Sequence, residues 1–307
     1  MDFKYRLASV QVGGADVLIA EHNGRHLPVR AALNREDLGR LPVGGPTDLM
    51  PLLAQWNYWR GVLPLRLADA VDAFEAHGSL EAGSFRPPVA LPRKLICIGA
   101  NYHDHIKEMP IPVVPTYPYA FLKPASTTLR GSGQPVFAPR QVQMLDWEAE
   151  LAVVIGFACR DVPVARALEV VAGYSALNDL SARDWIASRP AIGVDWVLHK
   201  SFDGFAPMGP YFVPAALVPD PQKLPITLTV NNEVKQRSNT EQMVFGVREI
   251  IAHLSSVMTL EPGDVIATGT PAGVGIGRKP PEFLKPGDVV RIEIGEFGPL
   301  VTPILPP

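Results

Sequence analysis

The sequence predicts an α+β chain, mainly β, with a small α/β module ahead of a larger strand-rich domain. Apolar runs are short and repeatedly broken by proline or glycine. Of the 307 residues 32 are proline, about twice the usual share of about 5%. That punctuation suits strands and turns and disfavours a bundle of long helices. Apolar residues make up 47% and charged residues 19%, which supports a substantial core and argues against disorder.

Residues 5–11, 15–21 and 26–32 are apolar runs separated by Gly13-Gly14 and Asn23-Gly24, and Asn-Gly is a strong hairpin signal. Helical patterns follow near 47–59 and 67–76, the second closed by His77-Gly78. Residues 83–92, Gly-Ser-Phe-Arg-Pro-Pro-Val-Ala-Leu-Pro, form the best linker candidate, so the expected division is a small domain at 1–88 and a main domain at 92–307. In the main domain strands are expected at 94–99, 120–122, 148–156, 171–178, 210–214, 225–230, 264–268 and 288–294. Helices fit near 164–172, 181–188 and 246–257. The echo Leu-Glu-Pro-Gly-Asp264 and Leu-Lys-Pro-Gly-Asp288 reads as two similar turns feeding strands.

A net charge of −3 offers no basic field for nucleic acid. No apolar stretch approaches the roughly 18 residues of a membrane span. The first residues, Met-Asp-Phe-Lys-Tyr-Arg, lack the apolar core of a secretory signal, so a cytoplasmic protein is expected. Cys97 and Cys159 each sit in an apolar run, as buried thiols rather than a disulfide framework.

The candidate chemistry begins at Asp146-Trp-Glu148-Ala-Glu150-Leu. Alternation in a strand puts Glu148 and Glu150 on one face, where two carboxylates repel unless a hard cation joins them. The same pattern also fits the wet side of an amphipathic strand. Asp179 ends the apolar run 170–177, as a third ligand or as the N-cap of a following helix. Three oxygen ligands would suit Mg²⁺ or Mn²⁺. His105 and Glu108 are three apart and share a face on a helical turn, as a water-activating pair or as an ordinary surface pair. His103-x-His105 lacks the partners of a zinc site. Lys200 lies between apolar segments, to stabilise an oxyanion or to close a turn by a salt bridge. Thr268-Gly269-Thr270-Pro-Ala-Gly273-Val-Gly-Ile-Gly277 has neither P-loop nor dinucleotide spacing, but its amides and Thr270 could cradle a carboxylate. No Gly-x-Ser-x-Gly elbow occurs.

Six marks in order resemble the fumarylacetoacetate hydrolase family. They are Cys-Ile-Gly-Ala-Asn-Tyr-His-Asp-His105-Ile-Lys-Glu108-Met, Phe121-Leu-Lys-Pro124, Glu148-Ala-Glu150-Leu, Asn178-Asp179-Leu-Ser-Ala-Arg183-Asp184, Lys200-Ser-Phe-Asp and Thr268-Gly-Thr-Pro-Ala-Gly273. The resemblance covers about 95–300 and implies a mixed β-sandwich roll, usually homodimeric. It implies a divalent metal, Mg²⁺ or Mn²⁺ with Ca²⁺ as a substitute, on Glu148, Glu150 and Asp179. His105 and Glu108 match the water-activating dyad, Lys200 the lysine near the metal, and Thr270 the threonine at the substrate carboxylate, with Arg183 and Gly269 placed beside the substrate.

The implied activity is hydrolysis of a C–C bond in an acylpyruvate or related 1,3-diketo acid through an enolate. Decarboxylation or isomerisation of a 2-oxo acid is the alternative, and a non-catalytic binding protein a third reading. Two positions depart from the family pattern. Trp185-Ile186 stands where many members have a glutamine, and His199 where a glycine often precedes the lysine. Ile186 and His199 are therefore expected to shape the substrate pocket for a bulkier or less polar group.

Overall fold

The computed structural model describes residues 3–75, 84–110, 112–187 and 193–307, the side chains of 186 and 187 excepted. Among them, strands predominate in two main sheets. The larger runs, by neighbours, through Arg25–Pro28, Ala15–His22, Arg6–Val12, Ala206–Pro214, Val171–Asn178, Ala149–Ile155, Val265–Ala267, Leu95–Gly99 and Tyr119–Lys123. The smaller runs through Glu233–Asn239, Pro225–Val230, Val289–Ile294, Leu300–Leu305 and Val136–Phe137. Pairing is mostly antiparallel, but Val265–Ala267 runs parallel to Leu95–Gly99, so the larger sheet is mixed.

Strand Ala149–Ile155 organises the layers. It is buried at every position, which is the environment of a central strand covered on both faces. Leu151, Val153 and Ile155 join Ile226, Leu228, Val290 and Ile292 in the core between the sheets. Ala152 and Val154, on the opposite face, pack into a second core with Trp56, Trp59 and Leu63. Glu148 and Glu150 continue that second face beyond the reach of the N-terminal helix.

The expected strands of the main domain are all present, as is the helix near 246–257, at Val247–Val257, while the other helices differ. The N-terminal helix is Trp56–Asp69, preceded by a single turn at Met50–Leu53, rather than two helices at 47–59 and 67–76. Gly61 and Pro64 read as interruptions, yet Trp56, Trp59, Leu63 and Leu67 form a buried stripe at helical spacing that outweighs them. Residues 76–83, with the expected closure at His77-Gly78, lie outside the described residues. Val164–Val170 is 3₁₀ helix. Over 181–188 the chain first forms the short strand Ser181–Ala182 and then the helix Asp184–Ala187, and Ser188 lies outside the described residues. Asn23-Gly24 does turn a hairpin, both residues at positive φ, with His22 opposite Arg25. The two Pro-Gly-Asp turns are also alike. Asp264 and Asp288 each accept from the amide three residues earlier, and Gly263 and Gly287 both take positive φ.

The N-terminal strands and the main domain share a sheet, since Leu7 pairs with Phe212. They also share the second core, where Trp56 meets Phe212 edge-on at 5.8 Å. We keep 1–88 and 92–307 as a proposed division of the sequence, with the smaller part acting as the cover of the larger. A chain beginning at residue 92 would bare Val154, Leu177 and Phe212. At about 1.5–3 kcal/mol per large side chain, that exposure approaches a typical domain stability. Thermal unfolding and gel filtration of the 92–307 fragment should show aggregation or non-cooperative melting. A monodisperse, cooperatively melting fragment would refute the shared-core argument.

Candidate active site

Strand register assembles the acidic cluster. Ala149 pairs with Asn178, so Glu148 faces Asp179, and the Asp179 amide donates to the Glu148 carbonyl at 2.9 Å. Glu150 sits two residues along on the same face. One carboxylate oxygen from each of Glu148, Glu150 and Asp179 lies within 4.8 Å of the others, and all three residues are buried. The wet-face and N-cap readings are therefore replaced, because no helix starts at 180 and the acids are enclosed.

Three buried cations close around the acids. The Lys200 ammonium donates to Glu148 Oε2 and Asp179 Oδ2, both at 2.7 Å, and to the Asp179 carbonyl at 3.3 Å. Lys123 donates to Asp179 Oδ1, to the Phe205 carbonyl at 2.6 Å and to the Leu180 carbonyl at 3.2 Å. Arg183 donates from Nε to Asp146 Oδ2 at 2.8 Å and from Nη2 to Glu148 Oε1. An ammonium has three protons, so both lysines are committed to the cluster in this structure. Lys200 and Arg183 accordingly stand as clamps on the acids.

Charge does not balance. Asp146, Glu148, Glu150 and Asp179 face Lys123, Arg183 and Lys200. The excess falls on Glu150, which has no cation at ion-pair distance among the described residues and takes the Gly269 amide at 2.7 Å. Burial, then Asp179 and Glu148, pushes its carboxyl far above the usual carboxylate range. Burial works the same way on Glu148, but Lys200 and Arg183 outweigh it and hold that carboxyl well below. Burial would lower Lys200, yet Asp179 and Glu148 raise it. Three converging carboxylates, one of them without a cation, fit a hard divalent ion.

The second component is the short helix His103–Glu108. His105 Nδ1 lies 2.7 Å from Glu108 Oε1, which assigns the proton to Nδ1 and leaves Nε2 as the basic atom. The Gly273 amide donates to Glu108 Oε2 at 2.9 Å. Asp104 latches the helix from its other side, accepting from Ser238 Oγ at 2.6 Å and from the His105 amide at 2.8 Å. His103 is exposed and apart from these contacts.

The glycine-rich loop is the third component. Its amides serve the protein's own acids: Gly269 on Glu150, Gly273 on Glu108, and Gly275 and Ile276 on Asp146 at 2.6 and 3.1 Å. An amide cradle for substrate is thus not what these groups form here. Gly269 stands at φ +96°, where a Cβ would meet Asn101 Cβ at 2.8 Å, so only glycine brings this amide to Glu150. Thr270 is buried, and its hydroxyl accepts from Gln236 Nε2 at 2.9 Å.

His199 is buried beside Lys200, its Nδ1 unpaired and its ring edge-on to Trp196 at 5.6 Å. Burial, then Lys200 and Arg183, pushes it down to about 2, so it is a neutral imidazole. Ile186 lies in the helix Asp184–Ala187, but its side chain is outside the described residues. Four groups escaped sequence reasoning: Lys123, Asp146, Asp104 and Gln236. Lys123 alone left a signal, since it alternates with the inward Phe121 on strand Tyr119–Lys123.

Residues 94–305 match the family model described as fumarylacetoacetate (FAA) hydrolase C-terminal. The chain is 47% identical over 222 residues to oxaloacetate tautomerase FAHD2B, mitochondrial, of Homo sapiens, covering 72% of this chain and 69% of that protein. Among solved structures, a fumarylacetoacetate hydrolase from psychrophilic Exiguobacterium antarcticum superposes with a TM-score of 0.76 at 32% identity, covering 99% of this chain and 100% of that one. A maleylpyruvate hydrolase from Sphingobium sp. SYK-6, in complex with manganese(II) and pyruvate, gives 0.74 at 29% identity, covering 98% and 99%.

Three outcomes are expected. Glu150→Gln keeps a neutral side chain where burial and like charges disfavour an ionised carboxylate, so the metal-free variant should melt no lower than the parent while losing the stabilisation that added Mn²⁺ confers. Because the raised Glu150 carboxyl must lose its proton to ligate, Mn²⁺ affinity of the parent should fall as pH falls, and calorimetry across pH checks the sign. Asp104→Asn weakens a charge-assisted latch of about 1.5–3 kcal/mol. Turnover should drop about tenfold with Mn²⁺ affinity unchanged, and amide exchange should quicken across 103–108.

Proposed function

The chain belongs to the fumarylacetoacetate hydrolase family, and from that premise we propose that it is a divalent-metal-dependent enzyme acting on a 2-oxo acid through its enolate. The observation that carries this reading is the juxtaposition of a three-carboxylate cluster with an imidazole whose basic nitrogen is fixed by Glu108. Glu148, Glu150 and Asp179 would hold the cation, Mg²⁺ or Mn²⁺, which supplies Lewis-acid polarisation of the 2-oxo group when bound.

The chain's own groups perform the rest. His105 Nε2 removes a proton, and the Glu108 carboxylate stabilises the imidazolium that results. Thr270 holds the substrate carboxylate. Arg183 and Lys200 keep Glu148 ionised, Lys200 also aligns Asp179, and to reach a developing oxyanion Lys200 would release its longest bond, to the Asp179 carbonyl at 3.3 Å. His199 and Ile186 are proposed to border the acyl end of the substrate.

Two reactions share this machinery, differing in where His105 finds its proton. Moved between the carbon next to the 2-oxo group and the 2-oxo oxygen, it gives keto–enol tautomerisation. Taken from water, it gives hydroxide for C–C hydrolysis of an acylpyruvate. The 47% identity to a relative named an oxaloacetate tautomerase favours tautomerisation first. The intact dyad, and the 29% identity to a maleylpyruvate hydrolase, favour hydrolysis as the second reading.

Decay of the oxaloacetate enol absorbance, with Mn²⁺ and with chelator, tests the first reading. Release of pyruvate and a carboxylic acid from an acylpyruvate panel tests the second, and CO₂ release tests decarboxylation. His105→Ala should slow the active reaction about 10²–10⁴-fold while leaving Mn²⁺ and pyruvate binding intact. Normal turnover in that variant would remove the dyad from the mechanism.

A homodimer is proposed as well. Leu122 on the edge strand and Val197 and Leu198 on the helix Trp196–Lys200 are exposed, and sedimentation gives the stoichiometry. The cytoplasmic location is likewise a proposal, for fractionation to test. Among the described residues no helix is long and apolar enough to cross a membrane.

A further inference from the structure

Strand Glu233–Asn239 has the composition of a solvated edge, Glu-Val-Lys-Gln-Arg-Ser-Asn, and lies at the margin of the smaller sheet. One residue breaks the pattern. Gln236 is 1% exposed, whereas an amide side chain at a sheet edge ordinarily faces water. Burial of such a group is costly unless its hydrogen bonds are met, and here they are. The Ala149 amide donates to Oε1 at 3.0 Å, while Nε2 donates to the Pro271 carbonyl at 2.8 Å and to Thr270 Oγ1 at 2.9 Å.

These partners fix the amide's orientation. Ala149 N–H can only donate and Pro271 C=O can only accept, so the reversed amide would set donor against donor and acceptor against acceptor. With Nε2 thus committed, the Thr270 oxygen is an acceptor toward Gln236, and its own proton points elsewhere. Ala149 lies between Glu148 and Glu150, and Thr270 follows Gly269, whose amide is on Glu150. A single side chain therefore ties the carboxylate strand to the hydroxyl and sets that hydroxyl's polarity.

We propose that Gln236 is a positioning residue that makes Thr270 a hydrogen-bond donor beside the metal ligands, committing that position to an anionic oxygen of the ligand. This rests on the 2-oxo acid reading and deepens it. A donating hydroxyl selects a carboxylate over the amide or ester of the same acid, because an ionised acceptor roughly doubles the strength of such a bond.

The test is a double-mutant cycle on the Mn²⁺-loaded full chain, with pyruvate as the probe in calorimetry and Mn²⁺ affinity measured separately by electron paramagnetic resonance. Gln236→Glu keeps an acceptor for Ala149 and removes both donors; Thr270→Val removes the hydroxyl at nearly constant volume. Each should weaken pyruvate binding about tenfold with Mn²⁺ affinity unchanged, and should raise KM in the active assay more than it lowers kcat. The double variant should bind no more weakly than Thr270→Val alone, and Thr270→Ser should restore binding. Should Gln236→Glu fail to fold by circular dichroism, Gln236→Met takes its place in the cycle.

Additive losses, or parent-like pyruvate affinity in a folded Gln236 variant, would overturn the inference while leaving the 2-oxo acid reading intact. Absence of pyruvate binding by the parent protein, with Mn²⁺ bound, would overturn both.

Discussion

A surplus of one buried negative charge governs this molecule. Four carboxylates converge with three cations, and the unmatched one, Glu150, is held by a backbone amide alone among the described residues. An isolated ionised carboxylate in such surroundings shifts its pKa rather than stay charged, and burial with two like neighbours drives Glu150 that way. A divalent cation resolves the conflict by replacing a proton. A cation bound there would add positive charge among the carboxylates. That sign would favour an anionic ligand, in keeping with the proposed 2-oxo acid.

The rest of the fold holds this conflict in place. Antiparallel register sets Glu148 opposite Asp179, and a one-residue slip of the Ala149–Ile155 strand would turn Glu148 and Glu150 toward the aliphatic core on the other face. That core, shared with the smaller sheet, resists the slip. Trp56, Trp59 and Leu63 cover the opposite end of the strand from the N-terminal side. The smaller sheet also reaches the site directly. Gln236 and Ser238, two apart on one strand, fasten the substrate loop and the dyad-bearing helix respectively. One edge strand thus sets the separation between the His105 helix, the three carboxylates and Thr270, and proton transfer is sensitive to separations of about 1 Å.

Much of this was legible in the sequence, for reasons that differ by residue. Glu148 and Glu150 announced themselves because strand alternation is strict, and the apolar run after them guaranteed a strand. His105 and Glu108 were legible because helical spacing places them together. The clamps were less so. Asp146 becomes meaningful only when strands distant in sequence are set side by side, and for Lys123 alternation with Phe121 tells that it points inward but not what it meets. Strand Glu233–Asn239 was invisible for the opposite reason: its residues are polar, so its local pattern is that of a loop. The N-terminal helix was misplaced because Gly61 and Pro64 are breakers by local rules, whereas its buried stripe is a tertiary fact.

The glycine-rich loop shows where specificity can reside. Four of its amides serve the protein's own acids, and Lys123, Lys200 and Arg183 are committed to the same cluster. Groups devoted to holding carboxylates in place contact no distinguishing part of a substrate and serve any reaction that passes through an enolate. Discrimination therefore falls to the few positions left over. Under the proposed function these are Thr270 for the carboxylate, His105 for the proton, and positions 186 and 199 for the variable end. A scaffold that keeps its electrostatics internal in this way can change reaction by altering a handful of side chains. The relatives, with tautomerase and hydrolase names on similar chains, are consistent with that division of labour. In this chain His199 is buried directly beside Lys200, in the sequence position where a glycine would carry no side chain.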